Sequence, residues 1–176
     1  MRIVCISGIW CYDNPVWIQI KPAFLRLFPE AKLVIEEERW CQPWQIQRLR
    51  SFTKTIVRSY DDGTETLLIG HSFGGVIACA AATQFTQSRV RGIVSIFAPH
   101  SFLGRVCTRM LSTSKLEVPI ISFEAKRDEL VWWGTGHQKS LEHVVLDADH
   151  FRELARDPTH AQKIAEVAKR RFFAGA

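Results

Sequence analysis

The chain has 176 residues, of which 47% are apolar and 23% charged, and it carries a formal net charge of +5. That length suits a single domain spanning residues 1–176 with a core of its own, and that composition excludes intrinsic disorder and fibrous repeats. The positive charge is scattered, and its one tight cluster, Lys169-Arg170-Arg171, sits near the end of a predicted helix where cations complement the dipole, so nucleic acid is not an expected partner.

No apolar run reaches the ~20 residues of a membrane span, and the opening run is too short for an export signal. A cytoplasmic location is expected, with weak peripheral contact to an anionic membrane surface still compatible with the charge. Cys5, Cys11, Cys41, Cys79 and Cys107 are five in number and contain no Cys-x-x-Cys pair. They read as reduced thiols, and their spacing suggests no zinc site.

Residues 2–7 form a continuous apolar run, the pattern of a strand buried on both faces. Asn14-Pro15 supplies a capping side chain before a helix, and Pro22 predicts that this helix kinks or restarts. Lys32-Leu33-Val34-Ile35-Glu36 is a second strand. From Pro43 a helix carries Leu49, Phe52, Ile56, Val57 and Tyr60 on one stripe, closed by Asp61-Asp62-Gly63.

Residues 65–69 form a third strand, and a Pro-free, Ala-rich helix over about 73–85 follows it. Between them stands Gly70-His71-Ser72-Phe73-Gly74-Gly75. Glycine at 70 and 74 removes the side chains that would collide where strand and helix come closest, so Ser72 is presented on a sharp turn with its hydroxyl clear of the backbone. The N–H of Phe73, at the helix start, points where an oxyanion would form. The same pattern also fits an ordinary Gly-rich turn with a capping serine.

Residues 92–97 give a fourth strand, 102–111 a helix with Phe102, Leu103, Val106, Cys107, Met110 and Leu111 on one face, 119–124 a fifth strand and 143–146 a sixth. Asp157-Pro158 opens a last helix, on which Ala161, Ile164, Ala165, Ala168 and Phe172 share a side. Short apolar strands alternating with helices predict a three-layer α/β/α sandwich with a mostly parallel six-stranded sheet. Functional groups in such sheets gather beyond the carboxyl ends of the strands.

At those ends lie Ser72, Asp128 and His150, after the third, fifth and sixth strands. A serine hydroxyl needs a base to take its proton, and the base needs a third group to orient it. The chain order Ser, Asp, His is that of a nucleophile-elbow hydrolase. Asp147 and Asp149 are rival orienting acids but neighbour His150 too closely in sequence. His71 reads as a packing or hydrogen-bonding residue, His100 as a possible lining residue, His137 as a weaker rival base, and His143 and His160 as surface or strand-start residues.

On Gly70 to Gly75, Asp128-Glu129-Leu130-Val131 and His150-Phe151, the chain resembles the α/β-hydrolase superfamily, in particular its small lidless lipases and esterases. The resemblance spans nearly the whole chain and implies the minimal fold without a large cap. It implies a serine esterase with Ser72 as nucleophile, His150 as base and Asp128 as acid. Ser7-Gly8-Ile9-Trp10 is similar to the family's loop after the first strand, which implies Ile9 as an oxyanion donor beside Phe73, with Trp10 second. Ser7 stands where that family has His, and Ala125 where Gly often precedes the acid. Trp10, Trp132 and Trp133 are candidate substrate-binding aromatics; the alternative is that they pack the rim of the sheet. The implied substrate is a small-molecule ester or thioester, with an amide using the same groups, and no cofactor is needed. The alternative of another class is a non-catalytic binding protein of the same fold.

Overall fold

The computed structural model describes residues 1–8, 13–37, 45–100, 102–112, 114–131, 137 and 139–174, with residues 102–105 described by their backbone alone. Ile9, Trp10, Trp132, Trp133, Cys11, Cys41 and Pro43 therefore lie outside the described residues.

The elements follow in the order β1 (Arg2–Ile6), α1 (Trp17–Leu27), β2 (Lys32–Glu36), α2 (Ile46–Tyr60), β3 (Thr66–His71), α3 (Phe73–Ala82), β4 (Val90–Ile96), α4 (Phe102–Leu111), β5 (Ile120–Ala125), β6 (Ser140–Leu146), α5 (Arg152–Arg156) and α6 (Pro158–Phe172). The strands make one sheet in the order β2-β1-β3-β4-β5-β6. Every pairing is parallel. The expected sandwich is present, and its sheet is parallel throughout.

Alternation along the central strands explains the two helical layers. Ile3 and Cys5 of β1, with Leu67 and Ile69 of β3, join Trp17, Ile20 and Phe24 of α1 and Ile164, Ala165 and Ala168 of α6 in one buried cluster. Val4 and Ile6, with Leu68, join Leu49, Phe52 and Ile56 of α2 and the whole apolar length of α3 in the other. Successive side chains of a strand point to opposite faces, so an uninterrupted apolar run demands cover on both. All six residues of β3 are buried, as befits the middle of the sheet.

Helix α1 runs unbroken through Pro22 and does not restart there. Pro22 is exposed, on the side where the carbonyl it leaves unpaired can be hydrated. The turn α5, between His150 and the last helix, is too short to leave a sequence pattern. Asp149 makes it, its Oδ1 accepting from the N–H groups of Phe151 at 3.0 Å and Glu153 at 3.1 Å. At the start of α6, Asp157 Oδ1 accepts from the N–H of Thr159 at 2.8 Å, the cap expected before Pro158. Among the described residues no helix is long and apolar enough to cross a membrane.

Candidate active site

The carboxyl ends of β1, β3, β4, β5 and β6 share one edge of the sheet, and the candidate residues stand on that edge. Ser72 has φ 55° and ψ −134°, a conformation that L-residues rarely adopt and that costs on the order of 1–3 kcal/mol. Steric exclusion holds it there. A Cβ on Gly70 would lie 2.4 Å from the Gly74 backbone, and one on Gly74 would lie 2.1 Å from the Ile6 carbonyl oxygen. On the other side, a Cβ on Gly8 would lie 2.6 Å from that of Ser72, so the chain leaving β1 presses directly on the nucleophile candidate. The Ser72 side chain makes no capping bond to α3. Phe73, as first residue of α3, has an N–H with no carbonyl four residues back inside the helix to receive it.

Asp128 and His150 are joined. The Nδ1 of His150 donates to Asp128 Oδ2 at 2.7 Å, and both side chains are 3% exposed. The second carboxylate oxygen, Oδ1, accepts from the N–H groups of Leu130 at 2.9 Å and Val131 at 2.7 Å. Burial alone would raise the Asp128 pKa, but the His150 hydrogen bond and charge and the two amides outweigh it and hold the carboxyl below its ordinary value. With its proton on Nδ1, the imidazole carries its lone pair on Nε2, and that atom is buried with no hydrogen-bond partner among the described residues. Asp147 and Asp149 are not drawn to it: Asp147 pairs with Arg127 at 3.4 Å and Asp149 caps α5.

A second histidine supports the first. His71 is fully buried; its Nδ1 accepts from Asn14 Nδ2 at 3.0 Å and its Nε2 donates to the backbone carbonyl of His150 at 3.0 Å. Burial, and next the nearby His150, pull its pKa down to about 3, which keeps it neutral, and the carbonyl, which can only accept, sets the tautomer. The rings of His71, Phe97 and Phe151 pack around His150 with centroids 4.6 to 6.2 Å away. Phe97 reaches this place from a left-handed backbone, φ 51°, at the end of β4.

The chain beyond β1 is tied into the same network. The Ser7 hydroxyl donates to Glu37 Oε1 at 2.9 Å and accepts from Trp17 Nε1 at 2.7 Å. Glu37 also accepts from the N–H groups of Asp13 and Asn14, at 3.1 and 3.2 Å. Asn14 is not the helix cap that the sequence predicts: α1 begins at Trp17 with Val16 at its N-cap and no side-chain cap bond. Asn14 Oδ1 accepts from the Val16 N–H at 3.2 Å in the preceding turn, and its amide nitrogen donates to His71. Nothing in the sequence singles out Glu37, Asn14 as a partner of His71, or Phe97. The one signal in the chain is Ser7 in place of histidine, since a buried hydroxyl at that position needs partners.

Of the remaining histidines, His100 is buried with Nε2 bonded to Ser95 Oγ at 2.6 Å, and its ring meets His137 edge to face at 4.8 Å. His143 lies within β6, its Nδ1 2.9 Å from Ser122 Oγ and its Nε2 3.2 Å from Glu124. His160 sits in α6 near Asp157 at 3.8 Å.

Comparison with known proteins gives the same outline. Residues 36–112 match the family model described as alpha/beta hydrolase fold. No curated protein matches the sequence. Among solved structures, the esterase domain of a Rhodothermus marinus protein is 18% identical, with 96% of this chain and 86% of that chain covered and a TM-score of 0.57. The ydeN gene product of B. subtilis is 16% identical, with 94% and 97% covered and a TM-score of 0.64. ClbQ from the colibactin NRPS/PKS pathway is 12% identical, with 96% and 98% covered and a TM-score of 0.62. Family match and structural likeness meet on one conclusion: this chain has the α/β-hydrolase fold.

Proposed function

We propose that the protein is a serine hydrolase that cleaves carboxylic esters through an acyl-enzyme intermediate. The observation that carries this reading is the buried 2.7 Å bond from His150 Nδ1 to Asp128, which turns Nε2, without a partner among the described residues, to the sheet edge that also presents Ser72. Further support comes from the fold and from proteins that share it, among them an esterase domain and a serine hydrolase involved in carbazole degradation.

In this reading His150 Nε2 takes the Ser72 hydroxyl proton as Oγ attacks the ester carbonyl. The tetrahedral oxyanion is met by the N–H groups of Phe73 and Ile9, each worth about 3 kcal/mol in the transition state by analogy with other hydrolases. The imidazolium then protonates the departing alcohol, which leaves an acyl ester on Ser72. Water attacks that ester with His150 again as base, and the acid is released. Asp128 stays ionised throughout, holds the proton on Nδ1 and stabilises the imidazolium.

Intact mass after exposure to a fluorophosphonate tests the reading. One covalent adduct is expected on the wild type, none on Ser72→Ala and a reduced yield on His150→Ala. Absence of an adduct on folded wild type would remove the enzyme assignment and favour a binding protein. With the adduct in hand, rates on the oxyester and thioester of one acyl chain assign the leaving group.

A further inference from the structure

A second cluster of reactive side chains lies apart from Ser72, Asp128 and His150. The close approach of α3 to β4 creates it. Gly75 lacks the side chain that would otherwise lie 2.5 Å from Ser95 Oγ and Ala98 Cβ, so the helix rests on the end of the strand. One turn later along that helix comes Cys79, fully buried. Against it lies His100, from the chain leaving β4, and against His100 lies His137, from the chain leaving β5. One ligand atom from each of the three falls within 4.8 Å of the other two.

We infer that Cys79, His100 and His137 form a binding site for a zinc-type divalent metal ion. One thiolate and two imidazoles suit Zn²⁺ or Co²⁺, and among the described residues no carboxylate joins the cluster to favour Mg²⁺ or Ca²⁺. His100 is already oriented for coordination by an outer partner, since Ser95 Oγ bonds its Nε2 at 2.6 Å, which fixes the ring and leaves Nδ1 to a metal. In His137 the Lys139 N–H donates to Nδ1 at 3.2 Å, so Nε2 is the nitrogen left to coordinate, its proton moving to Nδ1 as the Lys139 contact is given up.

A tetrahedral ion with bonds of about 2.1 Å to nitrogen and 2.3 Å to sulfur sets its donors about 3.5 Å apart. The cluster therefore closes by about 1 Å on binding, and half-buried His137 is the member with room to move. Burial pushes the Cys79 thiol up to about 12, so the metal-free protein keeps the proton there. Binding expels that proton to solvent, and the ion's charge replaces it in stabilising the sulfur; no electron is transferred. The sequence conceals this site because its three ligands come from three elements, and none stands at a recognisable metal-binding spacing. Bound metal would clip α3, which begins just after Ser72, to two of the loops on the same sheet edge.

The test uses the full chain, stripped with a chelator and titrated with Zn²⁺ and with Co²⁺. One equivalent of Zn²⁺ is expected, together with a raised Tm. Co²⁺ should give a thiolate-to-cobalt charge-transfer band and the intense visible bands of a four-coordinate ion. Cys79→Ala should abolish the charge-transfer band, and His137→Ala should weaken binding more than tenfold while the metal-free Tm stays close to wild type. His150→Ala should leave the cobalt spectrum unchanged. Failure of folded wild type to take up either ion, a spectrum without the thiolate band, or a spectrum lost with His150 and kept without Cys79 would each overturn the site. None of these outcomes depends on the hydrolase reading.

Discussion

The elbow at Ser72 and the Asp128–His150 pair are placed by different physics. At the elbow, position is set by what is missing: glycines 70 and 74 let β1, β3 and α3 approach until backbone meets backbone, and Gly8 leaves room for the Ser72 side chain. At the pair, position is set by bonds that close over long sequence separations, from Asp128 to His150, from His71 to the His150 carbonyl and from Asn14 to His71. Exclusion of volume is all-or-none, whereas a hydrogen-bond chain can lose one link and keep most of its geometry. Substitutions in the two regions should therefore fail in different ways.

The largest effect should come from the pair, in activity alone. Asp128→Asn keeps shape but offers an amide where His150 Nδ1–H needs an acceptor, so the imidazole turns to the wrong tautomer. Hydrolysis of a p-nitrophenyl ester should fall by about 10⁴ in kcat, by analogy with the same change in a serine protease triad, with little change in Tm. A fall of less than tenfold would show that Asp128 does not orient the base.

At the elbow the next largest effect should appear in stability. Gly74→Ala places a methyl 2.1 Å from the Ile6 carbonyl oxygen, and neither backbone can yield without moving β1 or α3. Overpacking of this kind costs about 3 kcal/mol or more, read as a lower urea midpoint. An unchanged midpoint would mean that the elbow is looser than its contacts indicate.

The two regions also differ in how far the sequence reveals them. The elbow is contiguous: strand pattern, Gly70, Ser72, Gly74 and an Ala-rich helix can be read in one pass, because steric rules act between neighbours in the chain. Asp128 and His150 are candidates by order and by their place after strands, and the structure does join them. Their supports are not legible. Nothing local distinguishes Glu37 from a solvated glutamate after a strand, and the bond from Asn14 to His71 appears only when β3 brings His71 beside it. The same limit hides the cluster of Cys79, His100 and His137. The parallel sheet is legible from apolar runs without alternation, whereas α5 is not, since a five-residue turn leaves no periodic signal.

His71 offers a subtler separation, through pH. Its folded pKa of about 3 lies below the ordinary value of 6.5, so on acidification the unfolded chain takes up a proton that the folded protein refuses. The stability it contributes is complete above pH 6.5 and declines as pH falls towards 3. At pH 4.5 the loss from this one group is about 2 to 3 kcal/mol. Urea unfolding at pH 7 and pH 4.5 should show that loss in the wild type and a smaller one in His71→Asn. Equal losses in the two proteins would mean that His71 is hydrated or already charged in the fold.

The smallest expected effect tests how far the bond chain reaches. Glu37 accepts from Ser7 Oγ and from the N–H groups of Asp13 and Asn14, so it holds both ends of the segment between β1 and α1. That segment includes Gly8, which bears on Ser72, and Asn14, which bears on His71. Glu37→Gln keeps one acceptor oxygen and replaces the other with a donor facing N–H groups, a loss of about 1 to 2 kcal/mol in stability. If the network positions the catalytic edge, kcat should also fall, by roughly tenfold on the scale of one misplaced hydrogen bond, with KM little changed. Glu37→Asp, which retains both oxygens on a shorter stem, should recover part of that rate. A kcat equal to wild type in Glu37→Gln, with only the urea midpoint lowered, would confine Glu37 to stabilising the fold.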